Sequence, residues 1–272
     1  MQVVNNADEI KFRCSSLGHL MTESRSKSET ISETTKTHLV DVFVSARYGR
    51  REEIHGKMLE KGHAREENSI TLLSRVQKIY YKKNSIRLAN EFIQGEPDLF
   101  LGNSIDEATE ITDTKTSWSA HTFFRAQQSE LSKMYKWQGT GYLSLTGAKK
   151  CTIAYCLVNG TFQTIMDDKR KASYSYGQDF DNDPEYIKEC QQIERNHIFD
   201  LEEFRKEIPG FDFHSDIDEL KKYEIPKEDR VFTISFDRNE DDIKKLYQRV
   251  KDCRKWMNEN LFKIPLPTLT TA

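Results

Sequence analysis

The chain has 272 residues, of which 36% are hydrophobic, 31% charged and 11% aromatic. That balance excludes a disordered chain and suits one sizeable α/β domain with elaborations, or two small domains. No apolar run approaches the ~20 residues of a membrane helix, and a net charge of −3 hides an asymmetry: residues 1–160 carry 22 Lys/Arg against 19 Asp/Glu, residues 161–272 carry 19 against 25.

The first residues, "MQVVNNADEIKFRC", have no apolar core and no small-residue cleavage site, so no signal peptide and a cytoplasmic location are expected. Residues 22–37 lack apolar periodicity and read as an exposed loop. A helix is predicted from Thr37 to about Tyr48, and a second from about Glu53 to Tyr80, broken or bent near Gly62. Strands are predicted over 86–93, 97–101 and 108–115, then helix over 119–146 with Phe123, Phe124, Leu131, Met134 and Tyr135 as core candidates. The apolar run "CTIAYCLV" at 151–158 suits a strand covered on both faces.

Residues 166–229 read as an irregular, charged insertion with helical pieces; the core before them spans about 38–165. A strand at 230–236 follows, then a helix opened by Asn239 and three acids, with Ile243, Leu246, Val250, Cys253 and Met257 on one stripe. The whole predicts a single α/β domain around one mixed sheet, with residues 230–262 packing back on the core. The five scattered cysteines contain no CxxC, which suggests neither a zinc knuckle nor a disulfide framework.

Binding to phosphate needs local positive charge. The best local patches are Arg47, Arg50 and Arg51, and the stretch "RVQKIYYKKNSIR"; a solvated helix face is the alternative for both.

Two stretches carry candidate chemistry. On an unbroken helix Glu66 shares a face with Leu59, Ile70 and Leu73, whereas Glu67 points outward with Glu60, Thr71 and Ser74. A carboxylate on an apolar stripe must be paired, protonated or bound to a cation. In "GEPDLFLGNSIDEATEITDTKTSW", Asp113 and Lys115 are two apart on a strand and project together. Asp98, after a Gly-Glu-Pro turn, can meet them from the neighbouring strand. Hard cations such as Mg²⁺ take oxygen ligands from one or two carboxylates and complete their shell with water and phosphate. A nearby lysine can position an attacking water and stabilise charge on phosphorus. Polar edge strands with cross-strand ion pairs are the alternative reading of the hairpin.

The ordered set Gly62-x-x-x-Glu66, Gly95-x-x-Asp98, Asp113-x-Lys115 and Gln138-x-x-x-Tyr142 resembles the four motifs of the PD-(D/E)xK nuclease superfamily, in its RecB-like branch. The stretches "FRCSSLGHLMT" and "YKWQGTGYLSLTGAKKCTIAYCLVNG", with the closing strand and helix, are most similar to phage exonucleases of the lambda-exonuclease and YqaJ type. The resemblance implies a restriction-endonuclease-like core and metal-dependent cleavage at duplex DNA ends for phage or prophage recombination in a bacterial cytoplasm. It implies Mg²⁺, replaceable by Mn²⁺ and in two ions, on Asp98 and Asp113, with Glu66 as a ligand directly or through water. Lys115 would orient the water, and Gln138 would hold Lys115 or the scissile phosphate. Tyr142 would pack or contact DNA, and Arg13 and Ser15 would contact it at a 5′-phosphate, with Arg50 and Arg51 from the basic patch; an ordinary surface arginine is the alternative for Arg13.

Trp118 either stacks on a base or covers the sheet, and His63 is either a further ligand or a core histidine. A single-strand annealing protein and a homo-oligomeric ring are the implied partners. The late cysteine triplet of iron–sulfur relatives is missing, so no such cluster is expected. An endonuclease using the same site and an inactive DNA-binding module are the competing functions.

Overall fold

The computed structural model describes residues 4–50, 52, 56–177 and 180–263. Strand β1 (Phe12–Arg13) and helix α1 (Leu17–Leu20) lead into α2 (Glu33–Tyr48). Helix α2 begins before the expected Thr37 because the Ser32 hydroxyl caps it, accepting from the Thr35 amide at 3.1 Å. It ends on Gly49, whose φ of 66° favours glycine.

The stretch predicted over 53–80 is indeed broken, into α3 (Lys57–Ala64) and α4 (Glu66–Gln77). The break falls at Arg65 rather than Gly62. The Arg65 guanidinium reaches the Gly160 carbonyl (2.6 Å) and Glu207 (2.5 Å), contacts that no local pattern encodes. The expected helix start at Glu53, Arg51 and the side chain of Leu59 lie outside the described residues.

Strands β2 (Lys82–Lys83), β3 (Leu88–Ala89), β4 (Ile93–Gly95), β5 (Leu99–Leu101) and β6 (Glu110–Thr116) follow. The strand predicted over 86–93 is divided because the Asn90 side chain accepts from the amides of Phe92 and Ile93, both at 2.9 Å, and turns the chain. That turn creates a second sheet, ordered β1-β4-β3, where one was expected. The helix predicted over 119–146 is likewise two, α5 (Ala120–Gln127) and α6 (Lys133–Thr146), the second capped by Ser132.

Strand β7 (Lys150–Cys156) precedes four helices where an irregular insertion with helical pieces was expected: α7 (Phe162–Ser173), α8 (Pro184–His197), α9 (Leu201–Glu207) and α10 (Ile217–Lys221). They pack around their own apolar cluster, including Ile165, Ile198, Phe204 and Phe211. Strand β8 (Val231–Asp237) and helix α11 (Glu240–Asn260) close the fold.

The main sheet is ordered β2-β5-β6-β7-β8, with β6 and β7 parallel and the other pairs antiparallel. Its two faces differ. Phe100, Ile111, Ile153 and Tyr155 join the large core that contains Tyr142 and Leu143 of α6 and Leu246, Val250 and Met257 of α11. Leu99, Ala154 and Cys156 face Leu72 and Leu73 of α4 on the other side. Side chains alternate along a strand, so Asp113 and Lys115 share the face of Ile111, toward α6. Among the described residues, no helix is long and apolar enough to cross a membrane.

Candidate active site

Asp98 is placed by the chain around it. Its carbonyl accepts from the Asn84 amide at 2.8 Å, and the buried Asn84 side chain donates to the Pro97 carbonyl at 3.0 Å. The β5–β6 register pairs Leu99 with Thr112, so one step further Asp98 comes opposite Asp113. Asp98 Oδ2 accepts from both the amide (2.7 Å) and the hydroxyl (2.8 Å) of Thr114. Even so, burial, then the charge of Asp113, pushes its carboxyl up to about 7.

Asp113 is 2% exposed, on the central strand β6. Its Oδ1 accepts from Gln138 Nε2 at 2.9 Å, and its Oδ2 lies 2.5 Å from Lys115 Nζ in an ion pair. Gln138 bridges, because its Oε1 also accepts from Lys115 Nζ at 3.2 Å and its Nε2 donates to the Tyr142 hydroxyl at 3.0 Å. Lys115 further sits 4.5 Å from the centroid of the Tyr135 ring. Burial opposes the Lys115 charge, but Asp113 together with Tyr135 and Asp98 outweighs it and holds the ammonium above its ordinary range. Burial, then Asp113, raises the Tyr142 hydroxyl as well, so it stays a neutral partner.

Helix α6 reaches the sheet this closely because of its glycines. A Cβ on Gly139 would lie 2.6 Å from Cys151 Sγ, and one on Gly95, in β4, 2.6 Å from the Tyr142 ring. The Gln-Gly-Thr-Gly-Tyr stretch is therefore a packing surface as well as a source of Gln138 and Tyr142.

Glu66 is not gathered with these groups. The reading that put it on the buried stripe carried one helical phase across Leu59 and Glu66, and the break at Arg65 ends that phase. Glu66 instead opens α4, whose buried residues are Ser69, Leu72 and Leu73. That helix lies on the sheet face opposite Asp113. The Glu66 side chain is 37% exposed and lies 3.3 Å from Lys83, an ammonium it shares with the exposed Glu67. Among the described residues, no three His, Cys, Asp or Glu side chains are grouped to hold a metal. Asp98 and Asp113 supply two carboxylates, and that donor set fits a hard cation that completes its shell with water and phosphate. His63 is exposed on α3 rather than in the core.

The residues named for DNA contact divide. Arg13 and Ser15 are exposed, and Arg13 pairs in register with Gln94, beside the turn that leads to Asp98. Among the described residues no carboxylate pairs with Arg13. Tyr142 is buried, which fits the packing alternative rather than contact with DNA, and its hydroxyl accepts from Gln138. Trp118 covers the end of the sheet, its carbonyl accepting from Lys61 Nζ at 3.0 Å and its ring edge-on to His197 at 5.9 Å. Arg50 is exposed after Gly49, and Arg51 is outside the described residues. Sequence reasoning missed three contributors. Tyr135 stands three before Gln138, a helical spacing that could have shown it; Thr114 lies between Asp113 and Lys115; Asn84 acts only through long-range contacts.

This fold has solved counterparts. A phage-related exonuclease from Haemophilus somnus 129PT superposes with a TM-score of 0.67 at 23% identity, over 94% of this chain and 97% of that one. The alkaline exonuclease LHK-Exo of Laribacter hongkongensis gives 0.55 at 10% identity, over 93% and 92%. Its complex with dAMP gives 0.55 at 11% identity, over 94% of both. The chain thus shares the mixed α/β fold of these solved exonucleases. No protein-family model matches it, and no curated protein does.

Proposed function

We propose that the chain is a metal-dependent DNA exonuclease that hydrolyses phosphodiester bonds at duplex ends. The observation that carries this reading is the closed network in which Gln138 holds both Asp113 and Lys115 while Asp98 stands opposite Asp113. A structural ion pair needs no second carboxylate beside it, least of all one whose ionisation the first opposes. Fold similarity to exonucleases adds support, since folds alone do not fix chemistry.

Asp98 and Asp113 would hold Mg²⁺, or Mn²⁺ in its place, with the rest of the shell supplied by water and phosphate. When bound, such an ion polarises the phosphodiester and lowers the pKa of a water molecule. Lys115 orients that water and offsets charge developing on phosphorus. Gln138 keeps the ammonium from rotating away, and Tyr135 backs it with the face of its ring. Arg13 and Ser15, beside the Asp98 turn, would take the terminal 5′-phosphate. We place the reaction in phage or prophage recombination within a bacterial cytoplasm, with a single-strand annealing protein downstream and a ring of subunits enclosing the duplex.

Incubating the protein with Mg²⁺ and either linear or closed-circular duplex tests the reading. Release of mononucleotides from the linear form alone is expected. Nicking of the circle would establish the endonuclease, and no cleavage with either Mg²⁺ or Mn²⁺ would leave an inactive binding module.

A further inference from the structure

We propose that the exposed face of α5 receives a single nucleic-acid strand beyond the candidate active site, with a base on Phe124 and backbone phosphates on Arg125 and His121. The proposal deepens the phosphodiesterase reading and rests on it. Helix α5 was expected to bury Phe124, but Phe123 takes the core position and Phe124 is left 40% exposed. His121, Phe124, Arg125 and Gln128 recur at helical spacing and line an open groove of about 650 Å³. A single exposed aromatic residue is ordinary; its surroundings are not.

Charge is the first of these. In a chain with 44 acidic residues, the stretch 114–166 contains only Glu130. Among the described residues no carboxylate pairs with Arg125. The groove is cationic and aromatic with no acid in its lining, complementary to a polyanion with stackable bases and ill-suited to a cationic partner.

Position is the second. From Lys115 a run of rings leads directly to this face. Tyr135 lies 4.5 Å from the ammonium. Tyr155 is 6.1 Å from Tyr135, Phe232 is 4.5 Å from Tyr155, Phe123 is 5.1 Å from Phe232, and Phe124 is 5.2 Å from Phe123. Helix α5 therefore sits on the same sheet face as Lys115, with Phe124 the fifth ring along from the ammonium. A stacking face there can engage only an unpaired base, which selects a single strand over a duplex.

The test is a titration of the full chain, without metal, against a single-stranded DNA of about 12 nucleotides carrying 2-aminopurine. Phe124→Ala should weaken binding about 5- to 100-fold, and Phe124→Trp should restore both affinity and 2-aminopurine quenching. Arg125→Gln should lower the slope of log affinity against log salt by about 0.7. Unchanged melting temperatures establish that the variants fold. Wild-type affinity and salt slope in both variants overturn the proposal. So does a Phe124→Ala protein that changes only its sedimentation, which would assign the face to a second copy of the chain. Because binding is read without metal, the two readings fail separately. A wild type that cuts no DNA while Phe124→Ala still loses the oligonucleotide ends the nuclease reading; one that cuts DNA with Phe124→Ala affinity unchanged ends this one.

Discussion

Gln138 donates from Nε2 to Asp113 Oδ1 at 2.9 Å, and both side chains are buried. The same amide accepts from Lys115, so its orientation is fixed from both ends: the oxygen faces the ammonium and the nitrogen faces the carboxylate. Gln138→Leu keeps the bulk and removes both bonds. Turnover should fall about 10- to 100-fold, the usual cost of losing such support, with little change in KM. Gln138→Glu should do worse, because it sets a second carboxylate against Asp113. Steady-state cleavage of a labelled duplex measures both, and a Gln138→Leu protein at wild-type kcat would remove the residue from the site.

Asp98 gives the metal-free protein a defined pH dependence. Its carboxyl is pushed from 3.8 up to about 7, by burial first and Asp113 second. The folded chain therefore keeps a proton that the unfolded chain releases, and raising the pH through this window strips it. Stability should fall as pH rises from about 4 to about 7. Asp98→Asn should flatten that decline. Urea unfolding in EDTA across this range checks it, and parallel curves for the two proteins would show that Asp98 does not titrate there.

Lys61 acts in the adjoining window with the opposite sign. It is 1% exposed, and burial, then Arg65, lowers its ammonium to about 7. Its hydrogen bond goes to a neutral carbonyl, that of Trp118, and the rings of Trp118 and Phe199 lie at 6.0 and 5.6 Å. Between about 7 and the ordinary 10.5 the unfolded chain binds the extra proton, so this group makes stability rise with pH. Below about 7 its full cost is present. Lys61→Met should stabilise the protein at pH 6 by an amount on the order of a few kcal/mol, and by less at pH 10. A lower unfolding midpoint at pH 6 would mean that the bond to Trp118 outweighs desolvation.

What the sequence made legible follows from locality. Strand alternation put Asp113 beside Lys115, and a four-residue helical spacing put Gln138 over Tyr142; the structure keeps both pairs. Glu66 was misplaced because its helix is broken by Arg65, held by Gly160 and Glu207 from far along the chain. Phe123 and Phe124 are neighbours of equal hydropathy, and only the seat on Phe232 decides which is buried. The bounds and packing of the helical pieces between 162 and 221 escaped for a similar reason. Their apolar residues serve a cluster assembled among four short elements, and Lys169 and Glu194 are buried there as an ion pair at 2.7 Å, charges that a one-dimensional pattern assigns to the surface.

Lys115 separates mechanism from location. If it only balanced Asp113, its removal would leave a more negative pair of carboxylates; metal affinity should hold or rise, and cleavage should fall modestly. If it positions the water and offsets charge in the transition state, the lost interaction belongs to the chemical step. Losing one such donor costs ~10²–10³ in turnover. The geometry favours the second outcome, because the ammonium is fixed on three sides, by Asp113, Gln138 and the Tyr135 ring. Lys115→Ala should therefore lower kcat about 10²- to 10³-fold and change substrate affinity little, with Mg²⁺ still bound. A calorimetric metal titration beside single-turnover cleavage measures the two quantities, and activity within about tenfold of wild type would reduce Lys115 to a counter-ion.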